Sequence, residues 1–287
     1  MDISSGLFSK SARRSAILGV AGVIAFSSLL GAAEVTIPNS ALIPSTSLYT
    51  STYGDVVVTT GGGNAANVGA ADGRNDDGFR GPINLGFSLN FFGTTYTQFF
   101  INNNGNVSFG NGISAFIPDG PTGATSPVIS PFFADVDSRG ANSGVMHFSQ
   151  LANEDIITWD HVGYYDSHSD KLDTFQLILR GPGFSVPAGE GQIGFFYTGM
   201  QWDSTDTSTV AAIGFGDGAG NSIVLQGSTQ PGTAALTQNN HIWFDLNDSG
   251  VPVTPPPASG VPEPGSVSLV LAGAGALVLA SRKYLHK

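Results

Sequence analysis

The sequence predicts an all-β chain, an antiparallel β-sandwich, and three observations carry that expectation. From about Ile83 to Phe244, short runs alternate apolar and aromatic residues with polar ones, divided by Gly, Asn and Pro. Between the two ends of the chain no helical period persists beyond two turns. Asn103-Asn104-Gly105 is a hairpin signal, because a tight turn needs the positive φ that Asn and Gly tolerate. The expected sandwich is flanked by an N-terminal signal helix and a single C-terminal transmembrane helix.

The first element is that signal segment, residues 1–33. Lys10, Arg13 and Arg14 precede an apolar run from Ala16 to Leu30, and Gly31-Ala32-Ala33 follows. A basic, an apolar and a small-residue region in this order form a secretory signal peptide, with cleavage expected after Ala33. An uncleaved anchor is the alternative, and the shortness of the apolar run argues against it. Residues 34–82 form a loop-rich opening of the β domain, with one or two strands such as Asp55–Thr59 and an acidic turn from Asp72 to Gly78.

Residues 83–250 are the sandwich proper. Its expected strands are Phe87–Phe92, Tyr96–Ile101, Asn106–Phe109, Val128–Phe133, Gly144–Ser149 and Ile156–Tyr164, then Thr174–Arg180, Gln192–Tyr197, Val210–Phe215, Ser222–Gln226 and His241–Phe244. The chain has no Cys, so disulfides contribute nothing, and a core drawn from its 19 Phe and many branched aliphatics must hold the fold. Residues 251–260 are a Pro-rich spacer, stiff because Pro fixes φ. Residues 261–287 close the chain with the apolar run Val267–Ala280 and a basic end containing Arg282 and Lys283. That run is about 21 Å long as a helix, and the positive end is expected to stop transfer and stay cytoplasmic.

Between Glu34 and Gly260 five basic residues face twenty acidic ones, a net charge of −15. Such a surface repels nucleic acid and anionic lipid and suits cations or polyols. Asp135 and Asp137 are the sharpest acidic pair. On a strand they share one face, about 6.5–7 Å apart. Three readings fit. They accept backbone N–H groups and pair with Arg139, or they ligate calcium with oxygens from Asp203, Asp206 or the Asp72–Asp77 loop, or they serve a glycan hydrolase. The first is the simplest, no catalytic residue is assigned, and the chain is not expected to be an enzyme. Apart from that calcium ion, no cofactor is expected. His147, His161, His168 and His241 lack a metal spacing, and His161 and His168 read as exposed residues flanking a turn. Trp159 alternates with Ile157 and reads as core, whereas Trp202, set among polar residues, is the best exposed aromatic for stacking on a sugar.

Two resemblances follow from quoted residues. Pro262-Glu263-Pro264, an apolar helix and a basic tail resemble the PEP-CTERM sorting signal of Gram-negative bacteria. That resemblance implies export through the inner membrane and transient anchoring there by the C-terminal helix. It also implies recognition by an exosortase and a place at the cell surface beside exopolysaccharide. The usual arginine run is replaced by one Arg and two Lys. Asn102–Phe109, Pro131–Gly140, Ile157–Tyr164, Leu172–Leu179 and Ala212–Phe215, in this order, resemble the nidogen-like extracellular domain, NIDO. The resemblance spans about Leu85 to Asp245. It implies an extracellular, non-enzymatic module of cell–matrix adhesion or biofilm matrix assembly. An exopolysaccharide-binding sandwich is the alternative.

Overall fold

A computed structural model describes residues 33–62, 72–116, 120–206 and 210–254. The expected signal segment before Ala33, the motif Pro262, Glu263 and Pro264, the apolar run after it, and Arg282 and Lys283 lie outside the described residues. Among the described residues no helix is long and apolar enough to cross a membrane.

In chain order the strands are β1 (Glu34–Ile37), β2 (Ile43–Pro44), β3 (Asp55–Val56), β4 (Phe79–Phe91), β5 (Thr94–Asn102), β6 (Asn106–Ser108), β7 (Pro127–Phe133) and β8 (Met146–Leu151). Then come β9 (Glu154–Tyr164), β10 (His168–Arg180), β11 (Ile193–Tyr197), β12 (Ala212–Asp217), β13 (Ser222–Leu225), β14 (Asn240–Leu246) and β15 (Pro252–Val253). Two short helices, α1 (Gly120–Gly123) and α2 (Thr233–Thr237), lie in connections. One sheet has the order β1-β13-β12-β7-β6-β5-β4, and the other β15-β14-β11-β10-β9-β8-β3, with β2 paired to β14.

The all-β expectation holds, but the sheets are not purely antiparallel: β1 runs parallel to β13, Glu34 opposite Ser222. Ala33, the expected cleavage position, is exposed, and its carbonyl accepts the Ser222 N–H at 2.9 Å. The start of the Pro-rich stretch also departs from a free spacer, since Pro252 and Val253 pair with Leu246 and Asp245.

The two sheets meet through aromatic rings. Phe132 lies 5.4 Å from Phe175, Phe195 stacks at 5.3 Å on Phe215, and Phe215 meets Phe244 edge-on at 4.8 Å. Each pair joins a residue of one sheet to a residue of the other, and together they exclude water from the interface. The other face of the second sheet is also covered. Ile156, Ile178, Phe196 and Trp243 are buried beneath Leu48 and Tyr49. Arg180 is buried in this layer, bonded to Glu154 at 2.9 Å and Glu190 at 2.6 Å, its guanidinium 4.3 Å from the Trp243 ring centroid.

Candidate functional site

Four segments converge at one end of the sandwich: the 72–78 loop, the tip of the β5–β6 hairpin, the chain leaving β7, and the β9–β10 turn. The hairpin forms where Asn103-Asn104-Gly105 signalled it, but its tip does not lie in solvent. Instead Asn102, Asn103, Asn104 and Asn106 are all buried. Polar residues survive there because each finds a partner, as buried polar groups must. Asn103 N–H donates to Gly78 O at 2.8 Å, and its side-chain amide donates to Val136 O. Asn104 accepts from Val136 N–H at 3.0 Å and donates to Asp77 at 2.7 Å and Ala115 O at 2.9 Å.

The loop is stitched to the segment after β7 by a second arginine. Arg74 donates to the carbonyls of Ser138, Gly140 and Ser143 at 2.7, 2.7 and 2.8 Å. Asn75, wholly buried, shares backbone and hydroxyl bonds with Ser138. These contacts fix Asp76 and Asp77 against Asp135, 58 residues away along the chain.

Asp135 and Asp137 part company in this arrangement. β7 ends at Phe133, so the expected shared strand face does not form. Asp137 is paired with Arg139 through Nε at 2.8 Å and Nη2 at 2.5 Å, and accepts Arg139 N–H at 2.9 Å and Ser167 N–H at 2.7 Å. Asp137 thus follows the simplest of the three readings, accepting backbone N–H groups and pairing with Arg139. Asp135 turns toward Asp76 and Asp77, and the three carboxylates each place an oxygen within 4.8 Å of the others. Among the described residues this is the one group of three or more acidic or His side chains so placed.

The other proposed oxygen donors lie elsewhere. Asp203 accepts the N–H groups of Gly232 and Ala234 at the start of α2, at 2.7 and 3.2 Å, and Asp206 is exposed, 3.4 Å from His168. Of the two His residues beside the β9–β10 turn, His161 is exposed as expected, whereas His168 is half-buried and stacks on Tyr164 at 4.8 Å. Trp159 is core, also as expected. Trp202 is not exposed: at 4% exposure it donates its indole N–H to Val162 O at 3.1 Å and meets Phe132 edge-on, so neither face is free for a sugar. The exposed aromatics at this end are Phe116 and Tyr165, 43% and 38% exposed, which with Asp76, Asp77, Asp135, Arg139 and Asp166 line a pocket of about 520 Å³.

Burial sets the electrostatics. Asp76 and Asp135 are 4% and 2% exposed, and desolvation, with the charges of neighbouring aspartates added, pushes both pKa values up to about 7. Asp77 is raised by burial too, opposed by the Asn104 hydrogen bond. Asp155, buried outside the pocket on β9, is likewise raised to about 7 by desolvation. Folded-state values above the unfolded one mean that the native state holds more protons between about pH 4 and pH 7. In metal-free buffer stability therefore falls as pH rises through that window and levels off above it. His241, lowered by burial, acts in the opposite sense. Urea denaturation in EDTA should show the protein more stable at pH 5 than at pH 8, by on the order of a few kcal/mol. A flat or rising profile would contradict it.

The fold and pocket define a two-sheet β module with an acid-lined cleft at one end. The chain belongs to the family described as NIDO related, which matches residues 45–254. Human alpha-tectorin is 29% identical over 133 residues, covering 38% of this chain and 6% of its own length. Alpha-tectorin of Gallus gallus is 25% identical over 205 residues, covering 58% of this chain and 9% of its own. Nidogen of Drosophila melanogaster is 26% identical over 117 residues, covering 32% of this chain and 9% of its own. The chain thus spans less than a tenth of the length of these curated relatives. No solved structure matches it.

Proposed function

We propose that this chain is a non-enzymatic, exported bacterial surface protein, in which the NIDO-related module mediates cell–matrix adhesion or biofilm matrix assembly. The observation that carries the reading is the family match over residues 45–254, together with kinship to alpha-tectorin and nidogen. The basic–apolar–small start of the chain and the Pro262-Glu263-Pro264 tail support export and exosortase-directed sorting. Intact mass of the protein from culture tests the routing, with ends expected near Glu34 and near Pro264. Deleting residues 34–250 while keeping both ends should abolish matrix retention of the producing cells. Unaltered retention would refute the adhesive role.

Binding of exopolysaccharide is a second reading. With Trp202 in the core, Phe116 and Tyr165 at the mouth of the acidic pocket are what favour it, since exposed rings beside polar groups suit sugar faces. The double variant Phe116→Ala/Tyr165→Ala should lose polysaccharide in a pull-down and keep its fold.

A further inference from the structure

The pocket between the 72–78 loop and the β9–β10 turn has the construction of a hard-cation site. One oxygen each from Asp76, Asp77 and Asp135 lies within 4.8 Å of the other two. Oxygens bound to a common calcium at 2.3–2.6 Å are at most about 5 Å apart, so one ion can touch all three. Acidic clusters are ordinary on surfaces, but this one is not on the surface. Asp76 and Asp135 are buried, and Oδ1 of each lacks any protein hydrogen-bond partner. A buried carboxylate oxygen left unpaired is costly, and a fold keeps one when something else satisfies it.

Arg139 does not fill that role. It is committed to Asp137 through two of its nitrogens and reaches Asp76 only at Oδ2, 2.8 Å away, leaving the Oδ1 atoms of Asp76 and Asp135 unanswered. It neutralises Asp137 beside the site and offsets part of the Asp76 charge, leaving the cluster net negative. Asp77 is aimed by Asn104, which the buried hairpin tip fixes in turn. We infer that Asp76, Asp77 and Asp135 bind a calcium ion whose remaining coordination positions open toward the pocket mouth. The all-oxygen donor set excludes the soft and imidazole-seeking metals. Ligands from two loops in an irregular array suit calcium better than magnesium, which demands a near-ideal octahedron. The inference stands apart from the adhesive role, and either can fail without the other.

The test is a calcium titration of the full chain after EDTA treatment, at pH 7.5, followed by thermal unfolding and calorimetry. Calcium chloride alone, to about 5 mM, should raise Tm saturably by about 5–10 °C, with EDTA reversing the shift. Calorimetry should give one ion per chain. Asp76→Asn and Asp135→Asn remove a buried charge at nearly constant volume, so their metal-free Tm should equal or exceed that of the parent while the calcium shift disappears. Asp206→Asn, outside the pocket, should keep the full shift. No binding heat and no shift in the parent chain would overturn the inference. So would a shift that survives in both pocket variants, or one that Asp206→Asn abolishes. Should one Asn variant fail to fold, the other still decides by whether the calcium shift disappears in it.

Discussion

Gly105→Ala is expected to abolish cooperative folding, or to cost at least about 4 kcal/mol if the variant can be purified. Gly105 sits at the buried hairpin tip with φ of +72°, and a Cβ there would lie 1.8 Å from the Phe132 carbonyl oxygen. Both partners are backbone, held by β7 on one side and by the Asn103 and Asn104 bonds on the other, so neither can withdraw. Gly110→Ala supplies the control. Its φ is +84°, but nothing lies within 4 Å of a new Cβ. It carries only the cost of left-handed backbone, about 1–2 kcal/mol. Urea denaturation of the pair separates the steric cost from the conformational one. Equal losses at the two sites would mean that the tip is not docked as described.

Arg180→Met should be the next most damaging change, at about 3–5 kcal/mol. The substitution keeps volume but strands a carboxylate, because Glu154 is buried and receives Arg180 Nε at 2.9 Å. It also removes the bonds from Arg180 to Gly191 O at 3.0 Å and to Glu190 at 2.6 Å. Adding Glu154→Leu should recover part of the loss, since the double variant no longer buries a lone charge at that position. A double-mutant cycle in urea measures the recovery. The loss should change little between 0.05 and about 1 M salt, because ions do not screen a pair that water does not reach. A strong salt dependence would show the cluster to be solvent-exposed.

The middle of the chain was legible because its strands are short apolar and aromatic runs bounded by Gly, Asn and Pro, buried along nearly their whole length. Asn106–Phe109, Val128–Phe133 and Ile156–Tyr164 fall on observed strands or within a residue or two of them. The first half of β4 was not, since Phe79 to Gly86 includes Arg80, Gly81, Pro82 and Asn84, and its pairing with β5 shifts register there. Residues that break the period hide a strand whose hydrogen bonds continue. β1 is parallel and four residues long, and nothing local announces a partner so far away. At the site, the acid-rich 72–77 loop and Asp135 were each visible, but their meeting depends on Asn104, which reads locally as a turn residue. Trp202 misled for a related reason. Its polar neighbours signalled exposure, whereas the backbone N–H groups of Gln201 and Trp202 are satisfied by buried Asp173 at 2.6 and 3.1 Å.

Strand β1 bonds to β13 across 188 residues of sequence. A ribosome delivers the earliest strand of the domain long before the one it must lie beside. Until then β1 has no strand to lie on, and β12, which β13 must cover on its outer edge, stays open. Non-local pairings of this kind slow folding and leave the nascent chain adhesive to its neighbours. Completion is thus tied to arrival of the last third of the polypeptide. A chain held at any earlier length should be the one that proteases and holding chaperones find.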